Sequence, residues 1–334
     1  MRIQRNRRLG FNVLPAATNY PDLFSDIFGD DEHALLPEME HPAYGAIRVP
    51  DGRTLAWAEY GSARGMPCIL VPDIGCSRLA PGWLLHDSAL PSAVRLLALD
   101  RPGTGASDPV GPGGRGELAE DLRRLVDTLA VGRVAVIGIG QSADDVFAFA
   151  RRYPHLVASV HAVSASLPGS RSGSRSLLHP FADRSRQTVG GVVGSWLAAT
   201  GSQADLTSEA TWVRALPKMS APARTALGSR WQDQDFRLAL ATDLEQTRNA
   251  SGTLPARGAS AGWLAQLEGE DEGVPVQLWH GRQELPTGPA AIRAVVESHS
   301  RWQLTEVAGP TATLGMWPQI LSAAAASFTT ASAA

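Results

Sequence analysis

Four carboxylates and one amide are the side chains best placed to do chemistry in this sequence of 334 residues. They follow short apolar runs that have the character of buried strands, and they are Asp73, Gln141, Asp144, Asp145 and Glu284. Carboxyl groups transfer protons as general acids or bases, and a shaped pocket adds orientation. This set therefore favours proton-transfer chemistry such as cyclisation, elimination, isomerisation or rearrangement, with Gln141 as a polar contact.

Several candidate side chains also have a structural interpretation. Asp144 and Asp145 begin a predicted helix, where acids interact favourably with the positive end of the helix dipole. Glu284 can equally be a surface loop residue. Trp196 and Trp212, which fall among helical pieces, either pack in a core or line a pocket for an apolar ligand.

Hydrophobic patterning predicts alternating strands and helices from residue 44 onward. Short apolar or alternating runs predict strands at 46–49, 53–59, 68–72, 94–100, 133–138, 156–163, 274–281 and 301–309. Helical spacing predicts helices at 117–129, 141–153 and 320–328. This alternation favours the α/β class, with a mostly parallel sheet connected by right-handed crossovers.

Composition divides the chain into three parts. Residues 1–43 form an N-terminal extension with four arginines in the first eight positions and seven acidic residues between 21 and 40. We expect this extension to be a tail, a strap, a lid or a docking element for a protein partner or a second copy. The helical pattern of residues 165–265 predicts a helical cap. This cap is inserted into a core formed by residues 44–164 and 266–334.

Four strings in order resemble the α/β-hydrolase fold. DGRTLAWAEYG (51–61) is similar to the first hairpin of that family, and DRPGTGASD (100–108) to its D-x-x-G-x-G-x-S turn. VAVIGIGQSADDVFAFARRYP (134–154) resembles the strand, elbow and helix that present the nucleophile. PVQLWHGRQELP (275–286) resembles the strand and loop that present the triad acid. The resemblance covers residues 44–328 and implies a mostly parallel sheet, flanking helices and an inserted helical cap.

The resemblance implies a Ser, Asp or Cys at the tip of the elbow, in the motif G-x-S-x-G. The sequence there is Gly138-Ile139-Gly140-Gln141-Ser142, so Gly140 stands where the nucleophile should be. A competing alignment places Ser142 at the tip and makes it the nucleophile. That alignment shortens the following helix by two residues and puts Asp144 where the motif has a small Gly.

The rest of the family's catalytic machinery is altered as well. No histidine follows His299, and Ala312 or a neighbour stands in the histidine position after the last strand. Glu284 stands in the position of the triad acid. The resemblance therefore implies a degenerate Ser-His-Asp triad, with Gly140 and Ala312 at two of the lost positions.

The loop after the third strand reads Pro72-Asp73-Ile74-Gly75, where families of this type often have His-Gly. The family's oxyanion hole uses two backbone N–H groups, one after the elbow tip and one from this loop. We expect Gln141 and Ile74 to supply these N–H groups and to face a shared void. Asp73 adds a carboxylate beside it.

These features are compatible with three alternative functions. The first is a non-hydrolytic enzyme of specialised metabolism, a cyclase, lyase or isomerase that binds an apolar small molecule between core and cap. Asp73 and Glu284 are its candidate catalytic residues, and Ile74, Gln141, Ser142, Asp144, Trp196 and Trp212 its candidate substrate-binding residues. The second is a pseudoenzyme that acts as a ligand receptor or partner subunit. The third is an atypical hydrolase that uses Ser142 or a carboxylate-activated water.

Composition argues against several other classes. The net charge of −3 gives no basic field for nucleic acid or a membrane surface. No apolar run approaches the roughly 20 residues of a membrane-spanning helix, and no apolar stretch follows the basic N-terminus as a secretory signal requires. Two cysteines are too few for a disulfide scaffold or metal cluster. We expect a cytoplasmic protein without a metal or cofactor.

Overall fold

A computed structural model describes residues 42–110, 118–165, 196, 199–201, 204–248, 273–282, 289–309 and 314–330. The predictions made for Glu284, for Ala312 and for residues 1–41 of the N-terminal extension lie outside the described residues.

Eight strands form a single sheet. They are β1 (Ala43–Arg48), β2 (Thr54–Gly61), β3 (Met66–Val71), β4 (Val94–Leu99), β5 (Val134–Ile139), β6 (Val157–Val163), β7 (Val276–Gly281) and β8 (Trp302–Val307). Their order is β1-β2-β4-β3-β5-β6-β7-β8. The pairings of β1 with β2 and of β2 with β4 are antiparallel, and the other five are parallel. The predicted mostly parallel sheet is confirmed, and each predicted strand overlaps an observed one.

Helices cover both faces of this sheet. The described α-helices are α1 (Pro81–Leu84), α2 (Leu118–Leu129), α3 (Ala143–Arg152), α4 (Glu209–Ala215), α5 (Ala221–Leu227), α6 (Gln234–Arg248), α7 (Pro289–Glu297) and α8 (Trp317–Thr330). Helices α2, α3 and α7 contribute to the apolar core on one face, and α8 with the inserted helices (α4, α5 and α6) to the core on the other. Because both faces are covered, the central strands β3 and β5 are continuous apolar runs.

The inserted helices lie between β6 and β7 in the chain and pack on the core through aromatic rings. Trp196 contacts Trp83 of α1, Trp212 and Phe236 edge-on, with ring centroids 6.2 to 6.3 Å apart. Helices therefore occur where the cap was predicted. Its boundaries at 165 and 265 stay predictions, since residues 166–195 and 249–272 lie outside the described residues.

The turn after β4 is held by a fully buried carboxylate. Asp100 accepts hydrogen bonds from the backbone N–H groups of Arg78 and Ala106, both at 2.8 Å, and forms an ion pair with the Arg78 guanidinium. Gly105 has a φ of +54°, and a Cβ there would come within 2.6 Å of three atoms of the Asp100 carboxylate. This pairing connects the loop after β3 to the loop after β4.

We predict that Asp100→Ala lowers the free energy of unfolding by about 3–5 kcal/mol, because it leaves the Arg78 guanidinium buried without its counter-ion. Urea denaturation measures this change. Asp127→Ala is the control, since it removes an exposed ion pair with Arg123 that contributes at most about 1 kcal/mol. Equal losses of unfolding free energy in the two variants would contradict the role of Asp100 as the buried counter-ion of Arg78.

Candidate active site

The elbow, residues 138–142, is a sharp turn between β5 and α3. A short 3-10 turn, Gly140–Ser142, follows the strand directly, and α3 begins at Ala143. Gly140 has a φ of +58°, in the left-handed region that glycine adopts without strain. The structure thus places Gly140 at the tip of the elbow, as in the first of the two alignments.

Asp73, which follows β3, reaches across to the elbow. Its Oδ1 atom accepts hydrogen bonds from the N–H of Ile74 at 2.8 Å and from the N–H of Gln141 at 3.1 Å. These are the two donors expected for an oxyanion hole, and they do converge. The expectation that they face a void is corrected, because the carboxylate of Asp73 accepts a bond from both.

Gly140 and Asp73 are sterically matched. A Cβ at position 140 would lie 2.4 Å from Oδ2, 2.5 Å from Cγ and 2.6 Å from Oδ1 of Asp73, distances at which atoms cannot coexist without displacement. The Asp73 carboxylate therefore occupies the space where a nucleophilic side chain on the elbow would begin.

The environment of Asp73 shifts its titration toward neutrality. Burial raises the pKa of this half-buried carboxyl to about 6, although the N–H groups of Gln141 and Ile74 and the positive charge of Arg101 act in the opposite direction. Loss of hydration thus outweighs two hydrogen bonds and a nearby cation. A carboxyl group with such a pKa populates both protonation states near neutral pH and can serve as an acid or a base.

Ser142 lies at the base of the elbow, where its side chain is fully buried. Its Oγ donates a hydrogen bond to the carbonyl oxygen of Pro72 at 2.6 Å and accepts one from the Arg101 guanidinium at 2.6 Å. These contacts connect the loops after β3, β4 and β5. Ser142 is placed to fix this junction, and its contact with a substrate stays a prediction.

Arg101 is a site residue that the sequence interpretation did not identify. It follows Asp100 in the turn after β4, and its guanidinium also donates to Asp145 Oδ2 at 2.5 Å. Asp144, half-buried beside this pair, has its pKa raised to about 7 by burial and by the charge of Asp145, against the opposing effect of Arg101. Both acids lie in the first turn of α3, as predicted, and Asp144 adds a second neutral-range carboxyl near the elbow.

The two candidate tryptophans lie in the apolar core on the inserted-helix side of the sheet. Both are fully buried, and their indole N–H groups donate to backbone carbonyls, Trp196 to Ala223 at 3.2 Å and Trp212 to Leu206 at 2.8 Å. This placement favours the packing interpretation. Ligand contact by either ring stays a prediction.

A polar cavity of about 380 Å³ lies among the inserted helices and residues 199, 200, 204 and 205, and no elbow residue lines it. Its lining includes Asp205, Thr211, Arg214 and Lys218 and none of the candidate site residues. Such a lining does not suit an apolar ligand. The apolar pocket expected between core and cap stays a prediction.

Within the described parts of the chain, no group of three or more His, Cys, Asp or Glu side chains is arranged to hold a metal ion. No helix among the described residues is both long enough and apolar enough to cross a membrane.

A double-mutant cycle tests the steric match at the elbow. Gly140→Ala introduces a left-handed non-glycine residue, which costs about 1–2 kcal/mol, and a clash with Asp73 that adds about 1–3 kcal/mol. In an Asp73→Gly background we expect only the backbone strain to remain. Thermal or urea unfolding of the four proteins measures the difference.

Gly132→Ala is the matched control for this cycle. Gly132 has a φ of +71°, and no atom lies within 4 Å of the position that a Cβ would take there. It therefore reports backbone strain alone and should lose the same stability in both backgrounds. Additive losses for Gly140→Ala and Asp73→Gly would show that the two sites do not compete for space.

Comparison with known proteins gives matches of two kinds, and no family model matches this chain. A protein of Streptomyces coelicolor described as a probable proline iminopeptidase is 28% identical over 132 residues, which are 37% of this chain and 40% of the relative. The dihydrolipoyllysine-residue acetyltransferase component of the acetoin cleaving system of Pseudomonas putida is 31% identical over 116 residues, 34% of this chain and 31% of the relative. The chain spans less than half the length of these curated relatives.

Solved structures match over most of the chain. Naproxen esterase from Bacillus subtilis has a TM-score of 0.57 at 17% identity, covering 90% of this chain and 95% of its own. An enol-lactonase from Burkholderia xenovorans has a TM-score of 0.54 at 21% identity, covering 85% and 100%. A haloalkane dehalogenase from Bradyrhizobium elkani has a TM-score of 0.54 at 18% identity, covering 88% and 100%. At such identities the likeness shows the fold alone: this chain has the α/β-hydrolase fold.

Proposed function

We propose that this protein is an enzyme in which the carboxyl group of Asp73 transfers a proton to or from a small molecule bound at the elbow, without an acyl-enzyme intermediate. The reaction class is that of a cyclase, lyase or isomerase. One observation carries the proposal: the Asp73 carboxylate lies over Gly140 and accepts both N–H groups that an oxyanion hole would use.

In this proposal the two carboxylate oxygens of Asp73 have different roles. Oδ1 accepts the N–H groups of Ile74 and Gln141, which hold the carboxylate in one orientation. Oδ2 is the atom nearest to the position of a Gly140 side chain and, among the described residues, accepts no hydrogen bond. Oδ2 is therefore the oxygen that exchanges the proton with a substrate.

The proposal includes the loss of the Ser-His-Asp triad. An acyl-enzyme needs a nucleophile activated by a neighbouring base. Gly140 has no side chain to act as a nucleophile, and the chain contains no histidine after His299. The assignment of Ala312 to the lost histidine position and of Glu284 to the acid position, each inferred from the family resemblance, belongs to this proposal. We also propose Glu284 as a second catalytic carboxyl group.

A hydrolase is the second candidate, and the descriptions of the structural neighbours favour it. Asp73 could accept a proton from a water molecule that attacks the substrate, with no serine involved. Two observations place this candidate second. Stabilisation of a tetrahedral oxyanion requires free N–H donors, whereas those of Ile74 and Gln141 already bind Asp73. Ser142, the alternative nucleophile, is fully buried with its hydroxyl hydrogen donated to Pro72.

The remaining features of the proposal concern the ligand and the setting. We propose an apolar small molecule under the inserted helices, no cofactor, and a cytoplasmic location. Docking of a partner or a second copy through residues 1–43 is part of the same proposal. The alternative is a ligand receptor that binds this molecule without converting it. The experiments below distinguish such a receptor from an enzyme.

Reagents for serine hydrolases test the absence of an acyl-enzyme. We expect no turnover of p-nitrophenyl esters and no labelling by a fluorophosphonate probe, because no activated hydroxyl lies at the elbow tip. Mass spectrometry of the probe-treated protein locates any adduct. Stoichiometric labelling of Ser142 would contradict the proposal and restore the serine hydrolase.

Asp73→Asn tests proton transfer directly, because it keeps the shape of the side chain and removes its acid–base function. Small molecules that co-purify with this variant are extracted, identified by mass spectrometry and incubated with the unmodified protein. We expect the unmodified protein to convert the bound molecule, and Asp73→Asn to convert it about 10²–10⁴-fold more slowly. Asp127→Asn, on the surface of α2, is the control and should retain full activity.

The pH profile identifies which form of Asp73 is active. If the carboxylate is the base, the rate rises as pH increases through about 6 and is constant above it. If the carboxylic acid is the donor, the rate falls over the same range. Binding of the extracted molecule without conversion by either protein would identify a receptor instead.

A further inference from the structure

We infer that Asp243, on helix α6 of the inserted helices, is a positioning residue for Asp73. It acts through the β3 loop, residues 72–80, which carries Asp73 at one end and meets α6 at the other. The inference rests on the proposed role of Asp73 and adds that the inserted helices hold the reactive carboxyl in place.

The contact between α6 and the β3 loop is a buried carboxylate that accepts three N–H and O–H hydrogen bonds and also one from the thiol of Cys76. Asp243 Oδ1 accepts the backbone N–H of Ser77 at 2.7 Å and the Ser77 hydroxyl at 2.6 Å. Its Oδ2 accepts the indole N–H of Trp83 at 2.8 Å. Both Asp243 and Ser77 are fully buried, so these bonds are shielded from solvent.

The β3 loop transmits this anchor to Asp73 over a short distance. The carbonyl of Asp73 accepts the N–H of Cys76 at 3.0 Å, which closes a turn, and Ser77 follows immediately. Gly75 has a φ of +90° inside that turn. The Ile74 N–H that binds the Asp73 carboxylate belongs to the same turn. Displacement of Ser77 therefore loosens the turn that holds Asp73 and one of its two donors in place.

The next residue, Arg78, is anchored differently. Its guanidinium and N–H bind Asp100, in the turn after β4 of the core. The β3 loop is thus held at adjacent residues by one carboxylate from the core and one from the inserted helices. Since Arg78 is paired with Asp100, the partners of Asp243 within the described part of the chain are neutral donors.

The choice of a charged residue at position 243 is informative. Burying a carboxylate is unfavourable unless every donor around it is well placed. A carboxylate accepts from Ser77 and Trp83 in one fixed geometry, whereas an apolar side chain would leave three buried donors unsatisfied. Such an arrangement favours a single position of the β3 loop. A reactive group on that loop needs a fixed position to meet its substrate in the right geometry.

Amide hydrogen exchange tests this coupling without any substrate. In Asp243→Asn, an amide nitrogen replaces one carboxylate oxygen, and this nitrogen cannot accept a hydrogen bond. We expect the exchange rates of the Ile74 and Gln141 amides, measured by NMR, to increase about tenfold or more, the factor for losing a hydrogen bond to a charged group. Asp235→Asn, exposed on the same helix, is the matched control and should leave both rates unchanged.

The amide of Val136, buried in β5, separates positioning from general stability. Positioning predicts faster exchange at Ile74 and Gln141 with little change at Val136. Equal acceleration at all three amides, or none at Ile74 and Gln141, would overturn the inference. If Asp243→Asn does not fold, Ser77→Ala gives the answer, because it removes one donor and retains the backbone bond. We then expect the same local pattern at smaller amplitude.

The outcome for Asp243 is independent of the outcome for Asp73. If Asp73→Asn retains full turnover while Asp243→Asn loosens the two amides, the proposed chemistry is wrong and the coupling remains. If Asp73→Asn loses turnover and Asp243→Asn leaves the two amides protected, the chemistry remains and the positioning role is wrong.

Discussion

The site depends on the convergence of two backbone N–H groups on one carboxylate oxygen. Strands β3 and β5 are neighbours in the sheet, with Val71 opposite Gly138, so the loops that follow them meet at the same edge. In an acyl-transfer enzyme the two donors would await a substrate oxygen. Here the Asp73 carboxylate supplies the negatively charged oxygen from within the chain, so both N–H groups are already bound.

Several other features follow from that single contact. The carboxylate fills the space above the elbow tip, so a side chain at position 140 would have to displace it. The carboxylate has lost hydration, and this raises its pKa even though two N–H groups stabilise its charge. Its loop must be held firmly, and Asp100 and Asp243 hold adjacent residues of that loop from the core and from the inserted helices. The elbow of this α/β-hydrolase fold thereby carries the Asp73 carboxylate directly above its glycine tip.

The fold and part of the site were predictable from the sequence. Apolar or alternating runs located the eight strands, whereas the sequence left Gly140 and Ser142 as alternatives for the elbow tip. The orientation of the Asp73 side chain was not predictable, because no periodicity encodes a loop rotamer. Long-range pairings were equally hidden: Ser77 and Asp243 are 166 residues apart, and Arg101 and Asp145 are 44 apart. Trp196 and Trp212 were ambiguous because apolar rings serve cores and pockets alike.

Titration of Asp73 by NMR tests the central claim most directly. Carbon-13 labelling of aspartate, with Asp73→Asn used to assign the resonance, reports the ionisation of this one carboxyl. We predict a midpoint near pH 6, with the amide protons of Ile74 and Gln141 shifting at the same midpoint because they bind its Oδ1. A midpoint near pH 4, about the value of an ordinary aspartate, with no coupled shift of the two amides, would contradict the account.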